Sequence, residues 1–139
     1  MGIATALVIL LVAAPAVHAV DHIVGDSSGW STLGDYATWA SGKTFNAGDS
    51  LVFNYDGSHK VDVVSKDGYE NCDSSNVLES HQGGSTTIKL KDAGPMYFIC
   101  PSLGHCSGGM KLAITVAAIV TNTPPASSSG GTTTPSTKS

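Results

Sequence analysis

Three soft metal-binding side chains recur at intervals of five residues within one short stretch of the chain. Residues 100–110 run Cys-Pro-Ser-Leu-Gly-His-Cys-Ser-Gly-Gly-Met, which places a thiol at Cys100, an imidazole at His105 and a thioether at Met110. Gly108 and Gly109 allow the backbone to turn tightly just before Met110. The fold must therefore bring both ends of a compact loop to one point in space.

The types of donor favour copper over other metals. A cupric ion held by one Cys and two His, with a weak axial Met, is the arrangement of electron-transfer copper sites. The stretch lacks the second His, which His59 can supply from another predicted strand. Zinc is the alternative, but Met is a poor zinc ligand and structural zinc sites usually show paired Cys-x-x-Cys spacing. The spacing thus predicts one copper ion held by His59, Cys100, His105 and Met110.

Composition limits the possible partners. The chain has 139 residues, enough for one domain with tails. Charged residues make up 13%, Arg is absent and the formal net charge is −4. Nucleic acids and anionic membranes are bound by basic patches, so neither is expected as a partner. We expect a monomer and, because no nucleophile–base set or acidic pair accompanies the soft donors, a protein that is not an enzyme.

Alternating apolar residues predict an all-β fold. In residues 51–55 and 59–63 the odd-numbered side chains are apolar or His, as in half-buried strands, which places His59 inward and Asp62 outward. Further strands are predicted over residues 22–25, 85–91, 96–100 and 110–116, with 67–82 as a loop containing a short turn of helix. The strand at 96–100 is apolar on both faces and is expected to be central. Short strands of this kind form a barrel or sandwich, and the candidate ligands would meet at one end of it.

Two tryptophans and two further histidines are not assigned to the site. Trp30 and Trp39 are expected to pack in or over the core. His22 begins the first strand and His81 lies in a polar loop, and neither has apolar neighbours that would fix it near Cys100. Both histidines are therefore expected at the surface.

The first nineteen residues predict a secretory signal peptide. Residues 3–17 are almost unbroken apolar sequence, and Val17-His18-Ala19 offers a small-residue cleavage site. A membrane anchor is the alternative, but the apolar run is short for a membrane span and no cationic stop follows it. We expect residues 1–19 to be removed and a domain over residues 20–118 to fold in an oxidising, extracellular compartment.

The three cysteines are expected to form one disulfide and leave one thiol. Pairings 72–100, 72–106 and 100–106 are all open. A ligand role for Cys100 requires a thiolate and would leave Cys72 to pair with Cys106. That bridge would close a loop of about 35 residues, for which chain-entropy estimates give about 3–4 kcal/mol. An intermolecular disulfide or a buried thiol is the alternative use of an odd cysteine.

Towards the end of the chain the composition becomes rich in Ser, Thr and Pro. Of the residues from Thr121 to Ser139, eleven are Ser or Thr and three are Pro, and none is a large apolar residue. Such a segment cannot join a core, so we expect residues 119–139 to form a disordered tail. It is either an O-glycosylated stalk or a plain flexible segment.

The sequence resembles plant phytocyanins, and the uclacyanin branch in particular, over residues 21–117. The resemblance is carried by Val24-Gly25-Asp26 with Gly29-Trp30, Trp39-Ala40, Phe45 with Gly48-Asp49, residues 51–55, His59 with Val61-Asp62, Cys72, residues 97–100, and His105-Cys106 through to Leu112. It implies a cupredoxin-like Greek-key β-sandwich with type 1 copper at His59, Cys100, His105 and Met110. It also implies a Cys72–Cys106 disulfide and two histidine edges near solvent.

Two departures from the family pattern concern residues 100–110, called the metal loop below, and the end of the chain. Family members usually carry Pro where this chain has Leu103, and Pro101 here follows the ligand Cys. The rigidity of the loop and access to His105 are therefore expected to differ. Many uclacyanins also end in a hydrophobic segment that directs a lipid anchor, whereas this sequence ends in a polar tail. We expect a secreted protein, or one at the outer face of the plasma membrane if an anchor signal is missing from this sequence.

The ligand set and the resemblance predict an extracellular type 1 copper protein that carries single electrons. Its redox partner, a small molecule or a protein, is not identified by the sequence. One alternative is a cell-wall or surface structural glycoprotein in which the copper domain is a platform and the tail binds wall components. Another is copper sequestration, with tight binding and slow electron exchange.

Overall fold

The computed structural model describes residues 2–9 and 18–119, and the chain divides into two units. The unit His18–Ile119 contains every helix and strand of the described residues, and residues 2–9 of the other unit form neither. Residues 10–17 of the predicted signal peptide and residues 120–139 of the predicted tail lie outside the described residues. Of the helices described, none has the length and apolar character that crossing a membrane requires.

Short strands dominate the unit His18–Ile119. The strands are β1 Asp21–Ile23, β2 Phe45–Asn46, β3 Ser50–Asn54, β4 Val61–Val64, β5 Glu79–His81, β6 Ser85–Lys89, β7 Gly94–Ile99 and β8 Lys111–Ala117. The helices are α1 Tyr36–Ser41 and α2 Lys66–Asn71, with a single 3-10 turn at Asp26–Ser28. Asp35 caps α1 by accepting the Thr38 amide, and Ser65 caps α2 by accepting the Gly68 amide.

The strands form two sheets. One has the order β1-β3-β6 and the other the order β2-β8-β7-β4-β5. The pairs β1–β3 and β2–β8 are parallel and the remaining pairs are antiparallel. The chain crosses from one sheet to the other at every connection except β4–β5 and β7–β8, as in a Greek-key sandwich. The predicted all-β sandwich with short helical segments is confirmed.

Strand β7 sets the position of the candidate ligands. It is the central strand of the five-stranded sheet, as its apolar sequence predicts, and Ile99 at its end lies opposite Asp62 of β4 and Lys111 of β8. The residue after β7 is Cys100 and the residue before β8 is Met110. Both therefore lie at the end of the sheet where β7 finishes and β4 and β8 begin.

A core of apolar side chains fills the space between the sheets. Trp30 is 1% exposed and packs against Tyr36 and Phe53 with ring centroids 4.7 and 5.2 Å away. Trp39 packs on the edge of this core and is only partly buried. Both tryptophans thus serve in packing, as expected. The fully buried members of the core include Val24, Leu51, Phe53, Val61, Leu90, Phe98 and Met110.

The expected inside–outside alternation fails at Asp62. Its carboxylate is 3% exposed and accepts a hydrogen bond from the Ser80 hydroxyl at 2.6 Å. Ser80 belongs to β5, which pairs with β4 in a segment expected to be loop. Because β5 pairs with β4 in the sheet and α2 packs against the same strand, all four residues of β4 are buried. The buried carboxylate is tolerated in this position because it accepts a hydrogen bond.

His22 is also placed differently from the expectation. It is not a surface residue: its side chain is 12% exposed, and Nε2 lies 2.9 Å from the Asp49 carboxylate. Asp49 additionally accepts the backbone amides of Val20 and Asn46, each at 3.0 Å. Burial alone would raise the pKa of Asp49, but the hydrogen bonds from His22, Asn46 and Val20 outweigh it and hold the pKa below its usual value. His81, in contrast, has a side chain that is 35% exposed.

Candidate metal centre

The turn between β3 and β4 places His59 at the edge of the sheet. The residue lies two positions before β4 rather than within the strand, and its amide donates to the Asp56 carbonyl at 3.1 Å. Its side chain is 8% exposed. Trp30 supports the turn, since its indole N–H donates to the Lys60 carbonyl at 2.9 Å. The imidazole is thus held in one place by backbone and core contacts.

Backbone hydrogen bonds close the loop between β7 and β8. The Cys100 amide donates to the Met110 carbonyl at 3.1 Å, and the Met110 amide donates to the His105 carbonyl at 2.9 Å. Gly104 and Gly109 adopt positive φ values of 77° and 110°, which residues with a Cβ rarely adopt. Cys100 and Met110 are both fully buried, so the side chains at the two ends of the loop are shielded from solvent.

Three of the four predicted ligands have their donor atoms in one cluster. The Nδ1 atoms of His59 and His105 are 3.2 Å apart. The Cys100 Sγ lies 4.0 Å from Nδ1 of His59 and 3.5 Å from Nδ1 of His105. Met110 adjoins this cluster through its backbone hydrogen bonds to Cys100 and His105.

These separations fit a single transition-metal ion. Nitrogen and sulfur donors at about 2.0–2.3 Å from a tetrahedral metal lie about 3.3–3.6 Å from one another. Two of the three observed distances agree with that spacing and the third is slightly longer. One thiol with two imidazoles is the donor set of mononuclear copper sites, and within the described residues this is the one cluster of three His, Cys or acidic side chains with that geometry.

The two imidazoles differ in their access to solvent. His59 is buried, whereas His105 is half-buried and follows Leu103, a fully exposed residue. The implication that both histidine edges lie near solvent therefore holds for His105 alone. The Ser102 hydroxyl donates to the Ser58 carbonyl at 2.8 Å, which ties the loop of His105 to the turn of His59.

Sequence reasoning missed Asp56, a carboxylate beside the cluster. Its Oδ1 lies 3.6 Å from Nε2 of His59. Hydrogen bonds from the Ser58 hydroxyl and then the Ser58 amide hold the pKa of Asp56 below its usual value. The Asp-x-Ser spacing just before His59 is a typical turn signal and could have identified the contact.

A disulfide lies next to the cluster. The sulfur atoms of Cys72 and Cys106 are bonded at 2.06 Å, which leaves Cys100 as the free cysteine of the described residues. Cys106 directly follows His105 and is buried with Val64 and Ile99 on the outer face of the sheet. The bridge therefore fixes one side of the metal loop to the end of α2.

Comparison with known proteins agrees with this geometry. Residues 30–110 match the family model described as a plastocyanin-like domain. Uclacyanin-3 of Arabidopsis thaliana is 51% identical over 116 residues, covering 84% of this chain and 52% of its own length. A blue copper protein of Pisum sativum is 53% identical over 113 residues, covering 81% and 59%. The chain thus spans little more than half the length of these relatives.

A solved structure shows the same fold. Cucumber stellacyanin with Cu²⁺ superposes with a TM-score of 0.67 at 37% identity, covering 74% of this chain and 99% of that one. The chain belongs to the plastocyanin-like domain family and is a uclacyanin-like phytocyanin with a cupredoxin-like fold.

Proposed function

We propose that this domain binds one type 1 copper ion through His59, Cys100, His105 and Met110 and carries single electrons. The observation that supports it is the cluster of two imidazoles and a thiol whose donor atoms lie within 4.8 Å of one another. The pea relative is named a blue copper protein and the cucumber stellacyanin structure is that of the Cu²⁺ form, which is consistent with that set. A bound copper ion would supply a one-electron couple.

The residues around the cluster limit how far the ligands can move. Cys100 and Met110 are joined by a backbone hydrogen bond at the mouth of the loop, and the Cys72–Cys106 disulfide fixes its outer side. The turn of His59 is bonded to the same loop through Ser102. Fixed ligands favour rapid electron exchange because little structure has to rearrange when the oxidation state changes.

The half-buried edge of His105 is the proposed route for electrons. His59 is enclosed, whereas His105 is half-buried and comes two positions after Leu103, whose side chain is fully exposed. A redox partner would therefore approach the face formed by these two residues. An apolar side chain at that point suits a partner with an apolar or aromatic contact surface.

The buried state of Cys100 argues against a catalytic role for its thiol. A Cys–His pair such as Cys100 and His105 is found in nucleophilic enzymes, but there the sulfur must reach a substrate. Here Cys100 is 0% exposed. One copper also cannot deliver the four electrons that reduce dioxygen to water. We therefore assign electron transfer without bond chemistry.

We propose an extracellular location for the mature protein. The motivating features are the apolar residues 3–17 with a cleavage site after Ala19 and the disulfide that forms in oxidising compartments. The domain would extend over residues 20–118, followed by the Ser/Thr/Pro-rich residues 119–139. Sequencing the N-terminus of the secreted protein tests the cleavage site, and an intact residue 1 would contradict it.

Electron exchange between oxidised and reduced protein tests the carrier function. The full mature chain is loaded with copper, and NMR line broadening in mixtures of the two states gives the self-exchange rate. A carrier should exchange electrons rapidly and reversibly over many cycles. Tight copper binding with exchange too slow to broaden the lines would favour sequestration instead.

A further inference from the structure

The carboxylate of Asp56 faces the outer nitrogen of a candidate ligand. Its Oδ1 lies 3.6 Å from Nε2 of His59, while Nδ1 of the same ring points to the cluster, 4.0 Å from the Cys100 sulfur. The distance of 3.6 Å is longer than a hydrogen bond, so the contact acts through charge. The two nitrogens of this imidazole therefore lie in different electrostatic surroundings.

Hydrogen bonds fix the carboxylate in that position. The Ser58 amide donates to Oδ1 of Asp56 at 2.9 Å, and the Ser58 hydroxyl donates to the same oxygen. The Ser58 carbonyl in turn accepts the hydroxyl of Ser102. The carboxylate thus belongs to the rigid frame around the cluster, although 72% of its side chain is exposed.

The charge of Asp56 is not neutralised by a neighbouring cation. Within residues 18–119 no lysine lies within 4.0 Å of this carboxylate, and its sole ion-pair partner there is His59. His105, the other imidazole of the cluster, has no carboxylate within that distance in the same part of the chain. The negative charge therefore lies closer to His59 than to His105.

We propose that Asp56 is a positioning residue of the metal centre, which holds the Nε2–H edge of His59 outward and lowers the reduction potential. A carboxylate beside the outer N–H of a ligating imidazole fixes its tautomer and makes the inner nitrogen a stronger donor. A fixed negative charge near the centre also favours Cu(II) over Cu(I) by Coulomb attraction. The inference rests on the proposed function, because His59 must be a copper ligand.

Replacing Asp56 by Asn tests the proposal, since Asn preserves the shape of the side chain and removes its charge. The reduction potential is measured by redox titration of the copper-loaded protein. We expect it to rise by an amount equal to a threefold to tenfold change in the Cu(II)/Cu(I) equilibrium, which is about 30 to 60 mV for one electron. The shift should shrink in 1 M salt, where exposed charges are screened within about 3 Å.

Asp92→Asn is the matched control. Asp92 is exposed and precedes β7, so it lies at the end of that strand remote from Cys100. The six residues of β7 separate the two ends by about 20 Å. Removing the same charge there should leave the potential unchanged. Equal potentials in Asp56→Asn and Asp92→Asn would overturn the proposal.

Two further measurements keep the test decisive. In the metal-free protein at pH 8, ¹⁵N NMR should show the proton of His59 on Nε2, and Asp56→Asn should mix the two tautomers. An unchanged tautomer in the variant would overturn the positioning role.

If Asp56→Asn does not fold, Ser58→Ala tests the proposal in its place. This variant loses one hydrogen bond to the carboxylate and should therefore raise the reduction potential by a smaller amount. A wild-type protein that gives no blue colour with Cu(II) would refute the proposed function, whereas a blue protein with an unmoved potential would refute only this inference.

Discussion

The Nδ1 atoms of His59 and His105 lie 3.2 Å apart, although 46 positions separate the two residues in the chain. The pairing of β4 with β7 explains this, because Asp62 near the start of β4 lies opposite Ile99 at the end of β7. The turn before β4 and the loop after β7 therefore meet at one edge of the sheet. The sandwich brings together donors that neither segment could assemble alone.

Replacing both Cys72 and Cys106 by Ser should destabilise the domain by about 4 kcal/mol. The bridge spans 34 positions, and the chain-entropy relation gives roughly that value for a loop of this length. Urea unfolding followed by tryptophan fluorescence measures the change, and the double substitution avoids an unpaired thiol. Cys100→Ser is the control because it retains the bridge. Equal midpoints for the double variant and the control would contradict the prediction.

Asp49→Asn should cost about 2–3 kcal/mol of stability at neutral pH, because a buried charged acceptor of three hydrogen bonds is lost. The folded-state pKa of Asp49 is lowered below 3.8, so its contribution is complete above about pH 5 and is lost as the pH falls through that pKa. The stability of the variant should therefore change less between pH 5 and pH 3 than that of the wild type.

Asp35→Asn provides the control for Asp49. The pKa of Asp35 is also lowered, chiefly by the Thr38 hydroxyl and then the Thr38 amide, but its side chain is exposed and caps α1. Because Asn caps helices as well as Asp, its stability at neutral pH should be almost unchanged. An Asp49→Asn variant that is as stable as Asp35→Asn would show that the buried pair with His22 contributes nothing.

The fold class was predictable from the sequence, and so was the loop that carries Cys100 and His105 of the candidate site. Alternating residues predicted strands at 51–55 and 110–116, and the apolar run before Cys100 predicted a central strand. The burial of two polar side chains could not be predicted, because it depends on contacts with segments that are distant in the sequence. Asp62 is buried because β5 pairs beside it and α2 packs against β4, and His22 is only 12% exposed because its ring contacts Asp49.

At the candidate site too, the local features were predictable from the sequence and the tertiary contacts were not. The even spacing of Cys100, His105 and Met110 indicated the local part of the cluster, and the inward parity of residues 59–63 indicated His59. The difference in exposure between the two histidines was not predictable, since it depends on the tertiary contacts that surround each ring. Local spacing shows which donors are present, and the tertiary contacts decide which of them solvent can reach.

Met110→Gln and Met110→Leu should shift the reduction potential in opposite directions. A Gln oxygen is a stronger axial ligand than a thioether and favours Cu(II), which lowers the potential. Leu has no donor atom, so the potential should rise. Redox titration of both variants measures the shifts, and a potential that is unchanged or raised in the Gln variant would show that Met110 is not an axial ligand.

Leu103→Asp should slow electron exchange with external partners without changing the copper spectrum. Leu103 is fully exposed and precedes His105 by two positions, and a charge there makes approach of an apolar contact surface unfavourable. Stopped-flow mixing with a neutral one-electron reductant measures the rate, for which we expect a decrease of about tenfold. Leu78→Asp is the control, because Leu78 is also exposed and its amide donates to the carbonyl of Val63, four positions past His59. Equal rates in the two variants would exclude the His105 edge as the contact face.

The visible spectrum of the Cu(II)-loaded protein, compared with that of Cys100→Ser, tests whether His59, Cys100 and His105 hold one copper ion through a thiolate. The wild type should bind one equivalent of copper and show an intense thiolate-to-copper charge-transfer band, and the Ser variant should lack that band while it retains its fold and its Cys72–Cys106 disulfide. A colourless wild type that binds zinc in preference to copper, or a band that persists in Cys100→Ser, would contradict the assignment.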